Sequence, residues 1–213
     1  MVYQAGLSLE ALIDQPRQLL PMDGHCQYFG KIFHPQEAFG FFQTLLTQIT
    51  WKPDRVFIFG KYHVTARKVA WFGDTNCYYS YSGTTHNRPL SWTDELLAIK
   101  TRVEEITQVR FNACLANFYQ DGSQGMGWHR DNEKELDQRA IASVSLGAER
   151  RFDFRHIRSG EKQSVFLEQG SLLLMTGDTQ KHWQHQLPKT AKVIAPRINL
   201  TFRNIINPYT NAS

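Results

Sequence analysis

The chain predicts a mainly β domain with flanking helices, an α+β fold whose strands close as a sandwich or a barrel-like jelly roll. Three observations carry that expectation. From Phe111 onward, apolar residues follow a two-residue period in short runs separated by turn residues. Before Phe111, two stretches carry apolar stripes at helical spacing. A length of 213 residues with 41% hydrophobic content suits one globular domain large enough to enclose a cavity. No repeat, linker or low-complexity segment divides it. The expected single domain, 1–213, has an N-terminal part to about residue 110 and a strand-rich part over about 111–207.

The first helix begins at Pro35, a favoured first helical position, and spaces Ala38, Phe41, Phe42, Leu45, Leu46 and Ile49 along one side. The second opens with the capping pattern Ser91-Trp92-Thr93-Asp94 and carries Trp92, Leu96, Ile99, Val103 and Ile106 on one stripe. Both stripes read as core packed on the outside of a sheet. Strands are expected at 111–119, 141–146, 151–156, 163–167, 171–175, 183–186, 192–195 and 197–204. In Arg197-Ile198-Asn199-Leu200-Thr201-Phe202-Arg203 the alternation is strict, which aims Arg197, Asn199, Thr201 and Arg203 to one face. In Ala113–Tyr119, Asn117 and Tyr119 likewise share a face while Phe118 points away.

Charge and cysteine usage narrow the setting. A net charge of +4 and a pI near 9.0 suit a phosphate-binding surface and are also ordinary for a soluble protein. Cys26, Cys77 and Cys114 are odd in number and widely spaced, which indicates neither a Cys-based zinc site nor a disulfide framework and fits a reducing cytoplasm. The start Met1-Val2-Tyr3-Gln4-Ala5-Gly6-Leu7 has no leader pattern, and no apolar run reaches membrane length. A monomer in the cytoplasm, with no membrane partner, is the expectation.

The chemistry concentrates in His129, Asp131 and a later histidine, His185 or His182. Two imidazoles and one carboxylate are the facial ligand set of non-haem Fe(II) oxygenases. A His-x-Asp pair alone is weak, since this composition yields about 0.4 of them by chance. The polar strand faces strengthen it. Arg197, Arg203, Asn117, Asn199 and Tyr119 supply the donors with which a small dicarboxylate could sit beside a metal cation.

Taken together, Asn117-Phe118-Tyr119, His129-Arg130-Asp131, Trp183-Gln184-His185-Gln186-Leu187-Pro188 and Arg197–Arg203 resemble the AlkB family of 2-oxoglutarate-dependent dealkylases. The branch acting on double-stranded DNA is the most similar. The resemblance runs from about Phe57 to about Asn207 and includes Phe59-Gly60-Lys61, Tyr79-Ser80-Tyr81-Ser82-Gly83 and Phe154-Arg155-His156 in family order. It implies a double-stranded β-helix, an eight-stranded jelly roll, under an N-terminal nucleotide-recognition lid. It implies Fe(II) on His129, Asp131 and His185, with His185 favoured over His182 by its spacing to Arg197. The co-substrate 2-oxoglutarate would be held by Arg203 and Asn117 at one carboxylate and by Arg197 and Tyr119 at the other, with Asn199 beside them, and O2 would complete the set.

The implied reaction is oxidative dealkylation of bases such as 1-methyladenine and 3-methylcytosine in duplex DNA, giving succinate, CO2 and formaldehyde. Tyr79 and Tyr81 would stack on the flipped base, and Glu133 would face its positive charge. Phe59 would fill the vacated stack, and Lys61, Arg67, Lys68, Arg150, Arg151, Arg155, His156 and Arg158 would meet the DNA backbone. Asn132 stands where the related branch has a second acidic residue, which bears on substrate preference alone. RNA is a further candidate partner. Two other readings stay open: an oxygenase for RNA or a protein side chain, and a non-catalytic nucleic-acid binder.

Overall fold

The computed structural model describes residues 15–58, 61–75, 77 and 88–206. In chain order these form β1 (Arg17–Gln18), β2 (His25–Lys31), α1 (Pro35–Gln48), β3 (Lys52–Ile58), β4 (Lys61–Gly73), α2 (Asp94–Thr107), β5 (Ala113–Tyr119) and β6 (Met126–His129). There follow β7 (Ala140–Gly147), β8 (Arg150–His156), β9 (Lys162–Leu167), β10 (Ser171–Thr176), α3 (Thr179–His182), β11 (Trp183–Leu187) and β12 (Arg197–Arg203).

Both predicted helices form, for the reasons their sequences suggest. Pro35 sits in the first turn of α1, where no amide partner is lost. In α2 the Thr93 hydroxyl accepts from the Leu96 amide at 3.3 Å, and Gln108 ends the helix in the left-handed conformation.

Two sheets face each other. The larger runs β1-β2-β10-β7-β12-β5-β4-β3 and the smaller β6-β11-β8-β9. From β5 to β12 the chain alternates between them, apart from the β8–β9 hairpin within the smaller sheet, so that β10-β7-β12-β5 and β6-β11-β8-β9 are the two layers of a jelly roll. The N-terminal strands β2, β3 and β4 extend the larger layer at both edges. Alternation divides the core accordingly. Ile198, Leu200 and Phe202 of β12 pack under α1 and α2, with Cys114, Ala116 and Phe118 of β5 beside them. Ile141, Leu173 and Met175 point the other way and meet Phe154, Val165 and Trp183 of the smaller sheet. Between the layers, polar residues replace apolar ones at one end, and there the cavity opens.

Seven of the eight expected strands form within two residues of their predicted limits. The segment 192–195 does not: it is a loop in which the Val193 carbonyl accepts from the Gly122 amide, and Ile194 is exposed. Its β-branched residues gave a strand signal that no partner edge satisfies. Strand β6, which the pattern did not show, takes the place opposite β11.

Candidate metal centre and co-substrate pocket

His129 ends β6, and His185 lies directly across from it on β11. Their rings meet edge to face with centroids 4.2 Å apart. Asp131 follows in the loop after β6, where its amide donates to Gln180 Oε1 at 3.0 Å. The donor atoms of His129, Asp131 and His185 all lie within 4.8 Å of one another. Nδ1 of His129 contacts the Gly127 carbonyl at 2.8 Å, which turns Nε2 toward Asp131 Oδ1, 3.9 Å away. Such second contacts fix the ring a metal needs. His182, the competing histidine, stacks on His156 instead.

The electrostatics prepare the triad for a cation. Burial depresses His185 to about 3, with His129 adding to the effect, so the imidazole is neutral and its lone pair is available. Burial also lowers His129, partly offset by Asp131. For Asp131 burial opposes ionisation, but Arg203, with Nη2 at 2.9 Å from Oδ2, and the two histidines outweigh it and leave the carboxyl below its usual range. Two neutral nitrogens and one carboxylate oxygen, converging from fixed strands, fit Fe(II).

Behind the triad, a cavity of about 280 Å³ is walled by the polar face of β12 and its neighbours. Register sets Arg197 opposite Tyr119 and Asn199 opposite Asn117. Arg197 is buried, donates from Nη2 to Ser145 Oγ at 2.9 Å, and its carbon centre lies 5.6 Å from the centroid of the Tyr119 ring. Its Nε has no hydrogen-bond partner, and burial pulls the guanidinium down to about 10. A buried guanidinium without a carboxylate among the described residues is suited to receive an anion. Asn199 is held by Ser143 Oγ at 2.7 Å. Ser143 and Ser145 alternate with Ala142 and Val144, a two-residue period that marks them in the sequence as a further polar face.

The other predicted residues separate. Glu133 lines the cavity, with Oε2 buried and unpartnered. Lys61 is exposed at the start of β4. Arg155 does not enter the cavity; it lies over the Trp128 ring at 4.6 Å and donates to Gln184. His156 is also outside it, buried against Trp183. Arg67, expected at the DNA backbone, is instead buried in the cavity wall and paired with Asp54. Arg150 is buried too, donating to the carbonyls of Asp121, Gln124 and Pro188. Phe59, Tyr79 and Tyr81 lie outside the described residues.

Comparison with known proteins agrees with this geometry. Residues 25–203 match the 2OG-Fe(II) oxygenase superfamily. The DNA oxidative demethylase ALKBH2 of Bos taurus is 44% identical over 85% of this chain and 69% of its own length. The alpha-ketoglutarate-dependent dioxygenase alkB homolog 3 of Mus musculus is 34% identical over 84% of this chain and 65% of its own. The solved structure of OsALKBH1 superposes with a TM-score of 0.59 at 17% identity, covering 90% of this chain and 99% of that one, which supports the fold alone. Residue pattern, layer topology and relatives thus converge: the chain belongs to the AlkB family within the 2OG-Fe(II) oxygenase superfamily, with Fe(II), 2-oxoglutarate and O2 as its reactants and cofactors.

Proposed function

We propose that this oxygenase repairs DNA by removing N-alkyl groups from bases of the 1-methyladenine and 3-methylcytosine type, with duplex DNA as its main substrate. The observation that carries the reading is Glu133: an unpartnered, buried carboxylate oxygen in the cavity shared with the triad. A cationic N-methylated base satisfies it, and a neutral base does so less well. Support for DNA comes from the relatives named DNA oxidative demethylase.

Bound iron with 2-oxoglutarate and O2 supplies the oxidation of the alkyl carbon, which leaves as formaldehyde. His129, Asp131 and His185 would hold that iron. Arg203 braces Asp131 while presenting charge to the near carboxylate of the co-substrate, and Arg197 with Tyr119 receives the far one. Asn117 and Asn199 line the space between. Phe59 is the proposed wedge and Tyr79 and Tyr81 the proposed stacking rings, all read from the sequence. No helix among the described residues is long and apolar enough to cross a membrane; a cytoplasmic monomer is part of the same proposal.

The direct test is formaldehyde and succinate release with Fe(II), 2-oxoglutarate and 1-methyladenine placed in duplex DNA, single-stranded DNA or RNA. Duplex turnover at least equal to the others is expected; turnover confined to RNA would overturn the DNA reading. Phe59→Ala should slow the duplex reaction about ten-fold while sparing the single strand, where no stack needs filling. Equal losses on both would remove the wedge.

A further inference from the structure

At the opposite end of the smaller sheet from the cavity opening, a second donor cluster is assembled. His156 closes β8, His182 ends α3, and Asp23 precedes β2. Their donor atoms all lie within 4.8 Å of one another. None of the three lines the catalytic cavity. We propose that Asp23, His156 and His182 form a second divalent-metal site of zinc class, which clips the N-terminal segment to the start of the strand bearing His185.

Three features show that the cluster is built. First, His156 is 3% exposed, yet its Nε2 makes no hydrogen bond; Asp23 Oδ2 stands 3.3 Å away outside hydrogen-bond geometry. An orphaned buried nitrogen facing a carboxylate is costly unless a cation or proton fills the gap. Second, His156 Nδ1 lies 2.8 Å from Ser159 Oγ. In the Nδ1–H tautomer this contact holds the ring and leaves the Nε2 lone pair toward Asp23 and His182.

Third, the backbone is tied on every side. Trp183 pairs with His156 across the sheet, and the Ile157 amide donates to the His182 carbonyl at 2.8 Å. The segment carrying Asp23 is pinned before it by the Trp183 Nε1 to Met22 carbonyl bond at 2.9 Å, and after it by the His25 amide to Thr179 Oγ1 bond at 2.9 Å. Asp23 itself takes φ 47, a left-handed conformation in which Asp is tolerated. Its side chain is 55% exposed, so water can complete the coordination. Two imidazole nitrogens and one carboxylate favour zinc and its neighbours over magnesium or calcium.

The rival is the neutral Nε2–H tautomer, in which the Ser159 amide donates to Nδ1 at 3.1 Å and the Nε2–H faces Asp23 with no metal between them. Metal stoichiometry separates the two. Chelator-stripped full-length protein would be titrated with micromolar Zn(II) by calorimetry and metal analysis. Since the catalytic triad also takes zinc, the wild type should bind two equivalents and His129→Ala, with that site broken, one tight equivalent. Asp23→Asn, which keeps the left-handed turn, and His182→Ala should each lose one equivalent while circular dichroism stays unchanged. Both ligands are at the surface, so neither variant opens the core. One equivalent in the wild type, or two retained in both Asp23→Asn and His182→Ala, would overturn the site.

Discussion

Asp131 is shared between two partners: one of its oxygens is held by Arg203 at 2.9 Å, and the other faces His129 across the triad. Asp131→Ala therefore removes the one anionic donor and also leaves Arg203 without its carboxylate. Turnover should fall to background even at saturating Fe(II), a result that single-turnover succinate release would register. The histidines divide just as sharply. His185→Ala should abolish iron-dependent activity and His182→Ala should keep most of it, because only His185 faces His129. At the far end, Arg197→Lys keeps a charge but loses the planar fork, and the shorter reach no longer serves both Ser145 and a carboxylate. The apparent KM for 2-oxoglutarate should rise about ten-fold or more with little change in melting temperature; an unchanged KM would make Arg197 structural. The cavity-lining residues of β12 are legible in the sequence because strict alternation in 197–203 allows one reading of which side chains share a face. Glu133 is legible by resemblance alone. Arg67 is not: a basic residue in a charged hairpin carries no sequence mark of the Asp54 it pairs with, thirteen positions earlier.

Between single residues and the whole fold, the least legible element is the one that carries His129. Strand β6 is four residues long and follows a glycine-rich loop, so its own sequence has too little period to announce it. What holds it in place is distant. Arg150, on β8, donates to the carbonyls of Asp121 and Gln124 before β6 and of Pro188 after β11. The glycines in that loop are needed for close approach: a Cβ on Gly122 would strike the Thr190 carbonyl, and one on Gly125 the Leu187 carbonyl. The same contact explains why 192–195 is a loop, since its backbone is already used to seat Gly122. Arg150→Ala should thus act twice. Losing three charge-assisted bonds at a buried site should cost roughly 3 kcal/mol, or roughly 6–12 °C in melting temperature. Because the loops it joins lead to both histidine ligands, Fe(II) affinity should weaken as well. Calorimetric Fe(II) or Mn(II) titration beside thermal melts checks both, and a stability loss with unaltered metal affinity would confine Arg150 to the scaffold.

At the scale of the whole molecule, two sheets enclose imidazoles in a setting that opposes their protonation, and this makes stability depend on pH in a definite direction. His185 is held at about 3 when folded, against 6.5 in the unfolded chain. A depressed folded value means that the unfolded state binds the proton first. Stability is then fully present above about pH 6.5 and is lost as pH falls toward about 3. His129 is shifted the same way and adds to the slope. Asp131 is lowered too, but its contribution is lost only below the ordinary carboxylate range, so it does not act between pH 7 and 5. For His185 alone the loss at pH 5 is on the order of 2 kcal/mol. Metal-free protein should accordingly show falling urea midpoints from pH 7 to 6 to 5. His185→Asn, which keeps a polar group of similar size without a proton to take up, should flatten that slope. Mn(II) should raise the midpoint most at pH 7 and progressively less below it, because the metal binds the neutral imidazoles of the folded state and must compete with protons. Midpoints that do not move between pH 7 and 5 in metal-free protein would mean that the imidazoles are solvated, and the enclosed, neutral imidazole pair proposed to bind iron would have to be abandoned.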